Sequence, residues 1–151
     1  MKLETKYSGE IEINEENIIT FEHGVPSFED EKKFVLLPFS NEPSPFYILQ
    51  SVNTPGLAFV VMTPFQFFPN YEAKLSDSVI EQLEINDQED VALFVILTVR
   101  ETWAESTANL QGPIVINGKK QKGKQIALND SEYKTKHPLG DVLTATGEKE
   151  G

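Results

Sequence analysis

The chain has 151 residues, 39% hydrophobic and 10% aromatic, enough for one domain that buries roughly 70% of the surface its unfolded chain exposes. The longest mostly apolar stretch, Val91 to Val99, is far short of the roughly 20 residues a membrane-spanning helix needs, and the lack of cysteine excludes disulfides, thiolate metal sites and thiol nucleophiles. The formal charge of −11 opposes nucleic-acid binding and favours a basic partner. That charge is uneven: residues 1–116 carry 6 basic and 19 acidic side chains, whereas residues 117–151 carry 7 and 5. The acid-rich start, with Glu4, Glu10 and Glu12, has no apolar signal region, so secretion is not expected, and the cysteine-free composition fits a reducing cytoplasm.

In chain order, Lys2 to Ile13 alternates polar and apolar residues around Ser8-Gly9, and a short apolar stretch runs from Ile18 to Phe21 before His23-Gly24-Val25-Pro26. Both predict short strands separated by turns. Phe34 to Phe39 and Phe46 to Val52 are β-branched or aromatic runs between prolines, and Leu57 to Thr63 is a further strand ended by Pro64. Asp77 to Leu83 is the clearest helix: Val79, Ile80 and Leu83 share one face, and Ser76 or Ser78 is placed to cap it. Val91 to Val99 is so continuously apolar that both faces of the strand are expected to be covered. Ile114-Val115-Ile116 leads into Asn117-Gly118, a two-residue hairpin signal, followed by a lysine-rich strand toward Gln125 to Leu128. The pattern predicts one all-β domain over 1–139, a small antiparallel barrel or a sandwich with one or two short helices, and a flexible tail over 140–151.

Catalytic signals are sparse. There is no Gly-x-Ser-x-Gly elbow, and His23 and His137 lack the spacing of metal ligands on one element, so each is read as structural or solvated. The acidic neighbours Glu89-Asp90 and Glu29-Asp30-Glu31 read as solvated loops, because acid/base work needs a pKa shifted by burial. Gly118 to Lys124 has the spacing of a phosphate-binding loop, but Gln125 stands where the magnesium-binding hydroxyl is needed, and a strand follows instead of a helix. The lysines of Lys119 to Lys124 suit a protected sheet edge; the alternative is an RNA-binding surface. Phe65, Phe67, Phe68 and Tyr71, beside Pro64 and Pro69, are either core or the wall of a groove for an apolar helix.

The segment Thr107-Ala108-Asn109-Leu110-Gln111-Gly112-Pro113-Ile114-Val115-Ile116-Asn117 resembles the signature of the flagellar assembly factor FliW family. Phe21-Glu22-His23-Gly24 with Phe28-Glu29, Ile48 to Ser51, Pro64 to Tyr71, and Tyr133 with Lys136-His137-Pro138-Leu139 extend the similarity over almost the whole chain. Two positions depart from the pattern. Ser27 stands where the family often has glycine, and Gly112 stands where it usually has alanine, which is expected to loosen the start of the following strand.

The resemblance implies a cytoplasmic, non-enzymatic protein without a cofactor and with a barrel-like fold. It further implies a protein that is monomeric when free and binds either flagellin before export or the RNA-binding translational regulator CsrA. Free protein would hold CsrA off flagellin messenger RNA, and accumulating flagellin would release it. Within the signature, Leu110, Ile114 and Ile116 are expected to face the core, while the amides of Asn109 and Gln111 either close the loop or are presented to a partner. Glu101 and Glu105 around Trp103 complete the candidate contact residues, since acid flanking an exposed aromatic suits a protein interface.

Overall fold

The computed structural model describes residues 1–25, 28–40, 44–128 and 132–139. The expected tail 140–151 and the departure at Ser27 lie outside these residues. The N-terminal alternation folds as a hairpin of β1 (Lys2–Glu4) and β2 (Glu10–Glu12), standing apart from the main sheet. Glu4 faces Glu10 across it, a like-charge pair that works against pairing. The hairpin is joined to the body where the Lys6 N–H donates to Gln50 Oε1 at 3.0 Å.

The apolar runs then become β3 (Ile19–Thr20), β4 (Lys33–Pro38), β5 (Phe46–Ser51) and β6 (Ala58–Met62), each paired antiparallel to the next. Pro64 ends β6, as its missing N–H requires. The helix α1 (Asp77–Gln82) is capped by Ser76, whose Oγ accepts from the Val79 N–H at 3.2 Å. It is followed by β7 (Val91–Thr98), β8 (Thr107–Ala108), β9 (Ile114–Asn117), β10 (Lys122–Gln125) and β11 (His137–Pro138).

Pairing of β7 with β9 closes the strand order β7-β6-β5-β4-β3-β10-β9 into a seven-stranded barrel, which decides between barrel and sandwich. Closure leaves few free edges. The contact of β3 with β10 is parallel, at Lys122 and Thr20, and departs from an otherwise antiparallel ring. Strands β8 and β11 extend the sheet beyond the end of β7.

Strand parity sorts the apolar side chains into two layers. Phe34, Leu49, Val61, Phe94, Ile114 and Ile116 fill the barrel with Phe21. On the outside, Met62, Val95, Leu97 and Ala108 pack with Leu110, Tyr71 and Leu139, while Val115 packs under Val79 of α1 and Leu83 just after it, with Val91 and Leu93 beside it. The continuous apolar run of β7 follows from this: Phe94 belongs to the interior layer, and Leu93 and Val95 to the outer clusters. Coverage is incomplete only toward its ends, where Ala92 and Thr98 are exposed.

The Asn117-Gly118 signal marks a hairpin, but not the two-residue turn expected. Lys122 pairs with Asn117, so the loop is Gly118 to Gln121, and the left-handed residue is Gln121 at φ 54°. Asn117 is the last strand residue and is buried. Its Nδ2 donates to the Leu83 and Glu84 carbonyls at 2.8 and 3.2 Å, and its Oδ1 accepts from the Lys119 and Lys120 N–H groups at 3.1 and 3.3 Å. Tertiary bonding to the end of α1 thus takes the asparagine out of the turn. Among the described residues no helix is long and apolar enough to cross a membrane.

Candidate functional site

Two surfaces hold part of the residues singled out above, Phe65 on one and Asn109 and Gln111 on the other. The first is an apolar groove of 460 Å³ between α1 and the start of β7, with Phe65, Leu75, Ile80, Ile85 and Leu93 among its walls. Its position follows from chain termination. After Pro64 the chain leaves the sheet in a 3-10 turn, Pro64–Gln66, which places Phe65 at the rim with 46% of its surface exposed.

The four neighbouring aromatics divide between the two readings. Tyr71 is core, with its hydroxyl donating to the Leu110 carbonyl at 2.7 Å. Burial, and secondarily Tyr133, raises its phenol well above the ordinary tyrosine range, so the hydroxyl stays a donor. Phe67 and Phe68 are half-buried against the same outer cluster, Phe68 meeting the His137 ring edge-on at 5.0 Å. Phe65 alone of the four is exposed and lines the groove.

The second surface is the signature segment, held from several directions. Asn109 Oδ1 accepts from the Gly112 N–H at 2.9 Å, and Gln125 Nε2 donates to the Gly112 carbonyl at 2.9 Å. The Leu110 and Gln111 N–H groups donate to the Lys134 carbonyl, and the Gln111 carbonyl accepts from Leu128. Asn109 therefore closes the loop, the first of its two expected roles. The half-buried Gln111 lines a shallow concavity of 240 Å³ with Gly112, Gln125 and Thr135. A Cβ on Gly112 would come within 3.0 Å of Asn109 Nδ2 and 3.1 Å of Gln125 Nε2. The two amides thus use the space a side chain would take, and they tie the start of β9 rather than leaving it loose. As expected, Leu110, Ile114 and Ile116 are buried.

Glu101 and Glu105 are exposed, Glu101 before the 3-10 turn Trp103–Glu105 and Glu105 as its last residue, and Thr102 caps the turn by accepting from the Glu105 N–H. The side chain of Trp103 lies outside the described part. Neither Glu101 nor Glu105 is among the residues that line the groove.

Sequence reasoning missed Leu75, Ile80, Ile85 and Leu93 as groove walls. Their signal is visible in hindsight: Leu75, Ile80 and Ile85 are apolar residues scattered through a strongly acidic stretch, and all are only half-buried. The lysine edge is less cationic than its sequence suggests. Lys122 Nζ lies 2.5 Å from Glu84 Oε2 and 3.6 Å from Glu22 Oε1. Its hydrogen bond to Glu84 raises the ammonium pKa and lowers that of the carboxyl. Lys119 and Lys120 are exposed in the turn. His23 is exposed.

With this geometry in place, the family model described as FliW protein matches residues 2–139. The chain belongs to the FliW family. It is 57% identical over 139 residues to the flagellar assembly factor FliW of Geobacillus kaustophilus (strain HTA426), covering 92% of this chain and 95% of that one. Against the flagellar assembly factor FliW of Bacillus subtilis (strain 168) the identity is 51% over 140 residues, covering 93% and 97%. A crystal structure of the flagellar assembly factor FliW superposes with a TM-score of 0.87 at 55% identity, over 92% of this chain and 96% of that one. The FliW match thus spans the barrel, the signature segment and the groove.

Proposed function

We propose that this flagellar assembly factor is a non-enzymatic cytoplasmic binding switch. It holds the translational regulator CsrA away from flagellin messenger RNA, and it exchanges CsrA for flagellin when unexported flagellin accumulates. The observation that carries this reading is the charge of −11 on a barrel of the FliW family. A regulator that grips RNA must present lysine and arginine, so an acidic body is drawn to it and, once docked nearby, repels incoming RNA. Screening confines that repulsion to about 8 Å at physiological salt, so the RNA path must pass close to the acidic face. Flagellin before assembly offers unpaired amphipathic helices, whose apolar stripes call for apolar surface.

The test is a three-component titration: labelled CsrA bound to this chain, with purified flagellin added. Displacement that rises with flagellin concentration is the expected result, because a ligand shifts the distribution only through differential affinity. A chain that binds neither partner, or a pure preparation that turns over substrate, would overturn the reading. The competing RNA-binding reading predicts affinity for naked RNA that falls when Lys119, Lys120, Lys122 and Lys124 become alanine. The pairing of Lys122 with two carboxylates weighs against it.

A further inference from the structure

We propose that the groove between α1 and β7 is the docking site of a cationic amphipathic helix on a protein partner, which rests on the binding-switch reading and assigns it a surface. Three observations converge. The groove is apolar and large enough, at 460 Å³, to bury several side chains. Its walls are side chains contributed by α1, the loops on either side of it and β7, and Phe65, whose ring packs on that of the core Tyr71 at 6.2 Å, still keeps 46% of its surface exposed at the rim. Such walls suit the stripe of residues a helix presents at i, i+3, i+4 and i+7.

Charge selects the occupant. Glu72 to Leu93, the segment that supplies eight of the nine groove-lining residues, carries seven acidic side chains and one lysine, a net of −6 out of the chain's −11. Glu84 is occupied by Lys122, but Glu81, Asp87 and Glu89 are exposed beside the walls at Ile80, Ile85 and Gln88. A helix flanked by lysine or arginine would lay its aliphatic stems over the apolar rim and set its cations among these carboxylates. An acidic helix of the same apolar pattern would be repelled by these carboxylates, with Lys74 the one cation among the lining residues.

The experiment is fluorescence anisotropy on the full chain with three labelled peptides of about 18 residues, long enough to hold a helix on binding. One is a leucine/lysine amphipathic helix, one a leucine/glutamate helix of the same pattern, and one the leucine/lysine composition in scrambled order. The first is expected to bind, the second not, and the third at least about tenfold more weakly. Phe65→Ser, an exposed position, should weaken the first peptide about tenfold, and the pair Glu81→Lys with Glu89→Lys should do the same while flattening the salt dependence. Equal binding of the scrambled peptide, or unchanged affinity in variants whose thermal melts match the parent, would overturn the proposal. Titrating the same variants with the two protein partners separates the levels. If a partner binds the parent and all variants alike, the groove assignment fails and the switch stands; if neither partner binds the parent, the switch fails.

Discussion

Gly123 sits under the ring of Phe21, where an added Cβ would lie 2.6 Å from Cζ. Phe21 is fully buried and packs edge-on against Phe34 at 5.3 Å, so it has nowhere to retreat. Gly123→Ala is expected to cost about 2–3 kcal/mol by overpacking, read as a lower urea midpoint at unchanged slope. This glycine lies within a lysine-rich stretch that resembles a phosphate loop in sequence, and its actual role is to let a strand pass close to an aromatic ring. Glu31 gives a pH test. Its carboxylate accepts from Ser51 Oγ at 2.5 Å and Thr54 Oγ1 at 2.6 Å, and these bonds lower its pKa below the ordinary glutamate value. A depressed folded-state pKa stabilises the fold above the unfolded value of about 4.3, and the contribution is lost as pH falls through the folded value. Glu31→Gln should therefore be less stable than the parent at neutral pH, and the two urea curves should converge as pH drops below about 4. A gap that stayed constant down to strong acid would assign the loss to shape rather than charge.

Among elements, the joint between the β9–β10 hairpin and α1 depends on one side chain. Asn117→Ala removes bonds to two carbonyls and two N–H groups at a buried position, and about 2–3 kcal/mol of stability should go with them. A denaturant midpoint within error of the parent would show that water takes over all four. The hairpin itself was legible in the alternation of Ile114 and Ile116 with Val115 and in the lysine strand that follows. Its turn was not, because an Asn-Gly pair reports local preference, whereas the end of α1, more than thirty residues earlier, decided the asparagine's partners. A similar limit applies to Tyr71. Its place in an aromatic run was plain, but its bond to the Leu110 carbonyl links two segments 39 residues apart. Tyr71→Phe should cost about 1–2 kcal/mol by leaving that carbonyl unpaired, as measured by thermal melting against the parent.

For the whole molecule, the sign and unevenness of the charge set the behaviour to expect in solution. If an acidic body steers the proposed regulator complex, its affinity should fall steeply as the Debye length shrinks from about 10 Å at 0.1 M salt to about 3 Å at 1 M, with RNA exclusion relieved in parallel. An affinity indifferent to salt, measured by calorimetry across that range, would remove the electrostatic account of docking.

The sequence by itself determined what depends on local pattern and on sums: β-rich secondary structure from β-branched and aromatic runs, a capped short helix read at Asp77 to Leu83, the absence of thiol chemistry, and a net negative field. The resemblance carried by Thr107 to Asn117 added the family. Only the tertiary structure decided that β7 closes the ring against β9, that Lys122 is shared by two carboxylates, and that Phe65, Ile80, Ile85 and Leu93 stand around one groove. Those residues lie on separate elements, and their meeting depends on how the barrel closes. Periodicity reports which side of an element is apolar, but the distance between two elements follows from packing them all at once.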